Sequence, residues 1–460
     1  MLKPIVLKNG LTILRFPKAS SNVFLTGFLC HTGSSIEEGY FPQGISRFIE
    51  KMFWYGTSKH PSSKKLNQVL EQMGGDFSST TSQELLQMYL TVPTYNQYKA
   101  TSMMAEIVQT SYFDEQDIKQ EQKFMLQNMS DFSDFQDFSN LSTSSLYANS
   151  SLGLPVLGSV ETITNINQEV IFEYLCHQFR PDNCYLVLAG NFDNKQVLEL
   201  AEQEWSIWSP KIKKIIKPLD FHIEDVGELP RVIYRQRGVA QTILNIAFLL
   251  DEGARPKELE TENKTEINNK NSKKEMILEP EKILEKNLHT WAKLLLLNTI
   301  LGQGLSSRLW LKTVEEEMLF NKITSDLIRF STTGYIEIMG VIENLQFTFG
   351  LESVFSVIEA LKKTTVSINE LQKAKEYIKG KFILSHENLL DSTVWQVENF
   401  LISGLNFEVR DLLEEVQKVE AAEIRALASD LFNAQKMAIT TLGTAKSTRL
   451  VDKLIKKYLF

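Results

Sequence analysis

Along the chain the spacing of apolar residues changes period several times, and each change marks an element. Val6 to Leu14 reads V-L-K-N-G-L-T-I-L, two apolar runs flanking Asn9-Gly10, which predicts a hairpin. Val23 to Cys30 continues as an apolar strand. From Gly44 to Tyr55 the period becomes helical: Ile45, Phe48, Ile49, Met52 and Phe53 recur at three and four residues, and Phe48, Met52, Phe53 and Trp54 are expected in the core. Lys64 to Met73 reads as a second helix closed by Gly74-Gly75. Gln87 to Val92 alternates as a strand and stops at Pro93. Helical spacing returns over 95–111, 115–129 and 171–179, and Cys184 to Ala189 reads as a buried strand.

Two polar breaks follow. Trp205 to Leu219 carries Ser209-Pro210, four lysines and Pro218, and reads as an inter-domain linker. Asp251 to Glu285 is the most polar stretch and is expected to be a mobile loop insertion, because it has too few apolar residues to offset its ordering entropy. The first-half pattern then recurs. Strands are expected at 232–234, 243–250, 335–341 and 437–442, and helices at 288–301, 307–317, 391–403 and 422–431. Ser367-x-x-Glu370 is a capping box opening a long helix to about Leu390. The elements mix without regular βαβ alternation, which implies two similar α+β halves of about 210 residues each.

Composition narrows the classes. Of 460 residues 43% are hydrophobic and 23% charged, so a large core can form. A net charge of -8 with a pI near 5.5 excludes the basic face a nucleic-acid binder needs. Apolar runs such as Leu294 to Leu297 are too short to span a bilayer. Neither a signal peptide nor a transit peptide is visible at the N-terminus. Cys30, Cys176 and Cys184 form no CxxC pair, and three thiols in a chain of this length fit a reducing, cytoplasmic setting. Cys176 and Cys184 are expected to be buried thiols. Gly302 and Gly304 are read as a helix cap and turn rather than a phosphate loop, since no Lys-Ser/Thr follows. Phe132, Phe135 and Phe138, interleaved with Asp and Ser, either form an aromatic patch or pack singly.

The chemistry concentrates in G-I-S-R-F-I-E-K-M-F-W-Y-G-T, Gly44 to Thr57. Arg47, Glu50 and Lys51 stand at i, i+3 and i+4 on one helix face, the spacing of an H-x-x-E-H zinc motif. The segment resembles the G-x-x-H-F-L-E-H-M-x-F-x-G-T motif of the insulinase/pitrilysin metallopeptidases, with Arg47 and Lys51 at the two histidine positions. Gly74 to Thr81 resembles the family's G-G-x-x-N-A-x-T strand, Ser78 and Ser79 replacing Asn-Ala. Glu121 to Asn128 is similar to R-E-x-x-V-L-x-E, and Asn128 holds the position of the third zinc ligand. Gly153 to Glu161, Arg180 to Asn191 and Leu301 to Trp310 match further family segments, so the resemblance spans nearly the whole chain outside the insertion. In the second half the family continues R-E-x-x-G-L-A-Y, whose Arg and Tyr help to hold the substrate; here Val314 and Asn321 take those positions and Met318 replaces the Gly.

The resemblance implies two homologous α/β-sandwich halves arranged as a clamshell. Each would be a mixed, mostly antiparallel sheet with helices on one face. The halves would be 1–208 and 229–460, joined by a linker at 209–228, with the insertion at about 251–286. It implies a peptidase fold without a working metal site. Arg47 has no lone pair to offer and Lys51 would have to lose its proton beside a dication, so neither metal nor cofactor is expected. None of the six histidines stands within five residues of another. Glu50 and Glu121 remain, and either they are solvated on a helix face or Arg47 and Lys51 neutralise them in a salt-bridge cluster. The expected role is a catalytically inactive subunit that pairs with a zinc-bearing paralogue, or with itself, to form a peptide-binding chamber. The alternatives are a scaffold subunit like the core proteins of the bc1 complex, or an active zinc endopeptidase with an unorthodox site.

Overall fold

Two β-sheets with the same strand order organise the protein. The structure, a computed structural model, describes residues 2–131, 142–209, 216, 226, 228–236, 238–254, 256, 280–444 and 448–459. The chain divides into two units, one of Met1–Asn140, Asn149–Asp220 and His386–Val397, the other of Leu141–Ala148, Phe221–Ser385 and Glu398–Phe460. Phe132, Phe135 and Phe138, most of the 209–228 linker and most of the 251–286 insertion lie outside the described residues.

In the first unit, strands β1 (Leu2–Val6), β2 (Thr12–Pro17), β3 (Val23–Cys30), β4 (Asp76–Thr81), β5 (Leu86–Pro93) and β6 (Cys184–Gly190) form one sheet in the order β1-β2-β6-β3-β5-β4. Only β2 and β6 run parallel. The expected hairpin forms between β1 and β2, but Asn9-Gly10 sits in a wider loop because the strands stop at Val6 and resume at Thr12. Asn9 Nδ2 is drawn away to donate to the Trp205 carbonyl at 2.8 Å. Strand β3 is apolar on alternate faces, and Phe24, Phe28 and Cys30 join Phe48, Ile49 and Phe53 in a core beneath the helices. Trp205 belongs to this core and stacks on Phe28 with centroids 5.5 Å apart, so the segment read as a linker begins in fact as buried helix. Of the thiols expected to be buried, Cys184 is and Cys176 is only half-buried.

The helices that position the site are α1 (Ile45–Met52), α2 (Ser63–Gln72), α3 (Gln97–Thr110), α4 (Glu115–Asp131), α5 (Gln168–Gln178) and α6 (Asn194–Ser206). Helix α1 has an apolar face, Ile45, Phe48, Ile49 and Met52, that is sealed into the core, which fixes the direction of its polar face. Its N-terminus is held from outside the helix. Gly44, at φ 92°, and Ser46 both donate backbone N–H groups to the Glu37 carboxylate, at 2.7 and 2.9 Å, and Ser46 Oγ adds a third bond at 2.6 Å. Ser46 Oγ also meets Tyr174 Oη at 2.7 Å, and Tyr174 in turn meets Thr32 Oγ1.

In the second unit, β7 (Arg231–Gln236), β8 (Gln241–Leu250), β9 (Phe320–Arg329), β10 (Gly334–Glu343) and β11 (Met437–Gly443) lie in the order β7-β11-β8-β10-β9, again with one parallel pair, β7 and β11. This repeats β2-β6-β3-β5-β4 strand for strand. The helix expected over 307–317 does not form as such. A single turn, Arg308–Trp310, leads into a π-helical stretch at Leu311–Glu316, and the chain re-enters the sheet at Phe320. Met318, at φ 50°, makes the turn between them. The long helix opened by Ser367 covers Ile368–Glu387, with Glu370 N–H donating to Ser367 Oγ. Among the described residues no helix is long and apolar enough to cross a membrane.

Candidate functional site

Helix α1 lies against edge strand β4 and helix α4, and its polar face carries Arg47, Glu50 and Lys51. The three-residue step places the Arg47 guanidinium on Glu50 Oε2. Lys51 Nζ lies 3.1 Å from Glu50 Oε1. From β4, Ser79 Oγ donates to Oε1 and Thr81 Oγ1 to Oε2, the latter at 2.7 Å. Residues 79 and 81 point the same way because strand side chains alternate. Each Glu50 oxygen therefore has a hydroxyl donor and a cation beside it, Arg47 hydrogen-bonded and Lys51 in charge contact. The Glu50 side chain is 0% exposed, against 27% for Arg47 and 36% for Lys51. Burial works to raise the Glu50 carboxyl, but the two cations and two hydroxyls outweigh it and hold the group below its ordinary range.

Glu121 on α4 is buried but differently supplied. Tyr55 Oη donates to it at 2.8 Å, and among the described residues it makes no ion pair. Burial raises its carboxyl, opposed by Tyr55, Lys51 and Arg47 and reinforced by Glu50. The tyrosine, caught between burial and the carboxylate, is itself raised. Of the two readings left open by the sequence, the salt-bridge cluster forms around Glu50 alone, and Glu121 senses the two cations from a distance.

The remaining sequence-derived positions separate. Asn128, two turns beyond Glu121, is exposed. Ser78, beside Ser79 on β4, sits opposite Tyr89 and makes no bond to Glu50. Val314, in the π-helical stretch, and Asn321, exposed on β9, belong to the second unit. Sequence reasoning missed Thr81 and Tyr55. Thr81 was within reach, since the side chain two residues beyond Ser79 on a strand must share its face; nothing in the sequence flagged Tyr55.

A zinc ion needs three or four lone-pair donors at about 2.0–2.3 Å. The two ligand positions on α1 hold a guanidinium and an ammonium, and the third holds an exposed amide, so these residues do not fit the ion. Among the described residues no three His, Cys, Asp or Glu side chains gather as a metal would require. Glu50 is also a poor base, since Arg47, Lys51, Ser79 and Thr81 hold its carboxyl below the ordinary range.

A family model described as Insulinase (Peptidase family M16) matches residues 16–159, and one described as Peptidase M16 inactive domain matches residues 165–378. A Bacillus subtilis protein named an uncharacterized zinc protease is 25% identical over 436 residues, 94% of this chain and 96% of that one. Mitochondrial-processing peptidase subunit beta of Dictyostelium discoideum is 26% identical over 193 residues, 41% of each chain. Among solved structures, a protease from Helicobacter pylori is similar with a TM-score of 0.79 at 17% identity, covering 96% of this chain and 99% of that one. A chain of Complex III2 from Candida albicans gives 0.77 at 16% identity and covers 100% of both.

Proposed function

Because the chain belongs to the insulinase family of peptidases, family M16, we propose that it is a non-catalytic member, a subunit that pairs with a zinc-bearing relative and helps to form a chamber for an extended peptide. The observation that carries this reading is Glu50. In an H-x-x-E-H peptidase the equivalent glutamate deprotonates a metal-bound water. Here it is buried beneath two cations and two hydroxyls that hold its carboxyl below the ordinary range. Peptide binding does not need that chemistry. β4 is the edge strand of its sheet, and an extended chain can add to such an edge through main-chain hydrogen bonds.

The test has two arms. The chain purified alone should hold less than about 0.1 zinc per molecule after dialysis, because the ligand positions are cationic or amide. Stoichiometric zinc that survives dialysis would end the non-catalytic reading. The tagged chain recovered from its native source should bring with it a relative of similar length that has an intact H-x-x-E-H motif. Recovery inside a large assembly with no such relative would instead make it a scaffold subunit.

A further inference from the structure

Cys30 is the last residue of β3 and Cys184 the first of β6, and the antiparallel register sets them directly opposite each other. The backbone bonds identify the kind of pair. His31 N–H donates to the Asn183 carbonyl at 3.0 Å, and at the far end of the same ladder Asn191 N–H donates to Val23 O at 3.1 Å. Both bonds bracket an opposed pair rather than join it, so Cys30–Cys184 and Phe24–Gly190 are non-hydrogen-bonded pairs. Opposed Cα atoms in such a pair lie about 4.5 Å apart, inside the roughly 4.4–6.8 Å window a disulfide spans. The two side chains are opposed on the same face of the sheet and both lie in the core cluster. Cys30 Sγ also donates to the Gln178 carbonyl at 3.2 Å, which fixes its direction.

We propose that Cys30 and Cys184 are a redox couple that closes into an intrachain cross-strand disulfide, within the folded protein, when it meets a small disulfide oxidant such as oxidised glutathione. One protein thiolate attacks the oxidant, forming a mixed disulfide and releasing one reduced thiol. The second protein thiolate attacks the protein sulfur of that mixed disulfide and releases the other. Two protein thiols lose two electrons, the oxidant's S–S bond gains them, and the two thiol protons end on the departing thiols. The pair is 0% and 1% exposed, so the oxidant must wait for an opening. That opening is small, since both residues are strand-terminal and the end of a ladder opens more readily than its middle. Burial also keeps the Cys184 thiol protonated, which makes closure slow. The bond would anchor the loop that leaves β3, in which Thr32 meets Tyr174 and Glu37 caps α1.

The experiment uses folded Cys176→Ser protein, which removes the half-buried third thiol. It is held with oxidised glutathione for hours, alkylated, digested and mapped by mass spectrometry. The expected product is a single peptide pair linking residues 30 and 184, reversed by dithiothreitol, with an unchanged far-ultraviolet spectrum and a raised Tm. The same treatment of Cys176→Ser with Cys184→Val should give no cross-link. Two results would overturn the couple: both thiols remaining alkylatable while the protein stays folded, or a persistent glutathione adduct with no intrachain bond. Should Cys176→Ser fail to fold, the parent chain is mapped in the same way, and a bond to Cys176 in place of the 30–184 bond is equally fatal.

Discussion

Arg47 and Lys51 each commit one group to Glu50 and leave the rest of their donors to solvent, whereas Glu50 depends on both. Replacing both cations with methionine strands a buried carboxylate with only the hydroxyls of Ser79 and Thr81. We expect a loss of about 2–3 kcal/mol near neutral pH, below the roughly 3–5 kcal/mol of a fully buried pair because both cations are part-exposed. In the parent the Glu50 carboxyl is lowered, so its contribution is present above the ordinary carboxyl range and is lost as pH falls through the lowered value. In the double variant the orphaned carboxyl can take up a proton, so the deficit should shrink towards acid. Urea midpoints of the two proteins at two pH values decide this, and equal midpoints would mean the cations contribute nothing to the fold. Glu121 has the opposite sign: its raised carboxyl makes the folded state hold a proton that the unfolded chain has released, so stability falls as pH rises above about 4.5. Glu121→Gln keeps an acceptor for Tyr55 and should flatten that fall. Met318 offers a simpler test. Its left-handed backbone costs a non-glycine residue about 1–2 kcal/mol, so Met318→Gly should raise the urea midpoint, by less than that because glycine also loosens the unfolded chain.

Helix α1 is eight residues long, too short to persist by itself, and it stands because its apolar face is buried and its first turn is bonded to Glu37. Burial pushes the Glu37 carboxyl up to about 8, against the pull of its three donors. Between the ordinary carboxyl value and that figure the folded state binds more protons than the unfolded one, so this group makes stability decline as pH rises. Glu37→Gln should cost about 1 kcal/mol near pH 5, where one hydrogen-bond acceptor is exchanged for another, and the gap should close and then reverse as pH rises towards 8, because only the parent loses stability over that range. A gap that widens with pH would show that the carboxylate is the favoured form. Elements such as α1, β3 and β6 were legible because their apolar periods are unbroken and they lie at the centre of the packing. The edge strand β9 was not, because its alternation in N-K-I-T-S-D-L-I-R serves a half-exposed surface and blurs into a polar stretch. The π-helical segment was equally invisible: L-K-T-V-E-E suits an ordinary helix, and the Thr313 hydroxyl bonded to the Leu309 carbonyl adds no signal at the level of sequence. In the site, the spacing of Arg47, Glu50 and Lys51 foretold their shared face. It could not tell whether Glu121 would find a cation or Tyr55, since that depends on how α4 lies against α1.

At the scale of the molecule, neither unit is one continuous piece of chain. Tyr147, in the part of the sequence that precedes β6, is buried in the second unit, where its hydroxyl donates to Gly334 O at 2.9 Å. The first unit in return includes His386–Val397, whose His386 carbonyl accepts from Lys18 Nζ at 3.2 Å. Cutting the chain between the halves therefore takes a packed segment from each. We expect fragments 1–208 and 229–460, expressed apart, to give broad, non-cooperative melts, and the intact chain to melt sharply. Two sharp transitions from the separate fragments would show that the exchanged segments are dispensable. Tyr147→Ala in the intact chain should cost about 3–5 kcal/mol, as for other large buried aromatics, and calorimetry would register it.

The strand order also sets a timetable. β6 lies between β2 and β3 although it is made long after both, and β11 lies in the same way between β7 and β8. At a synthesis rate of roughly 5–20 residues per second, the apolar edge of β3 stays open for about 10–30 s before its neighbour leaves the ribosome. During that interval the nascent chain carries an unpaired hydrophobic strand, the condition that recruits chaperones and invites aggregation. The pace of translation, more than any search through conformations, then determines when the first sheet can close.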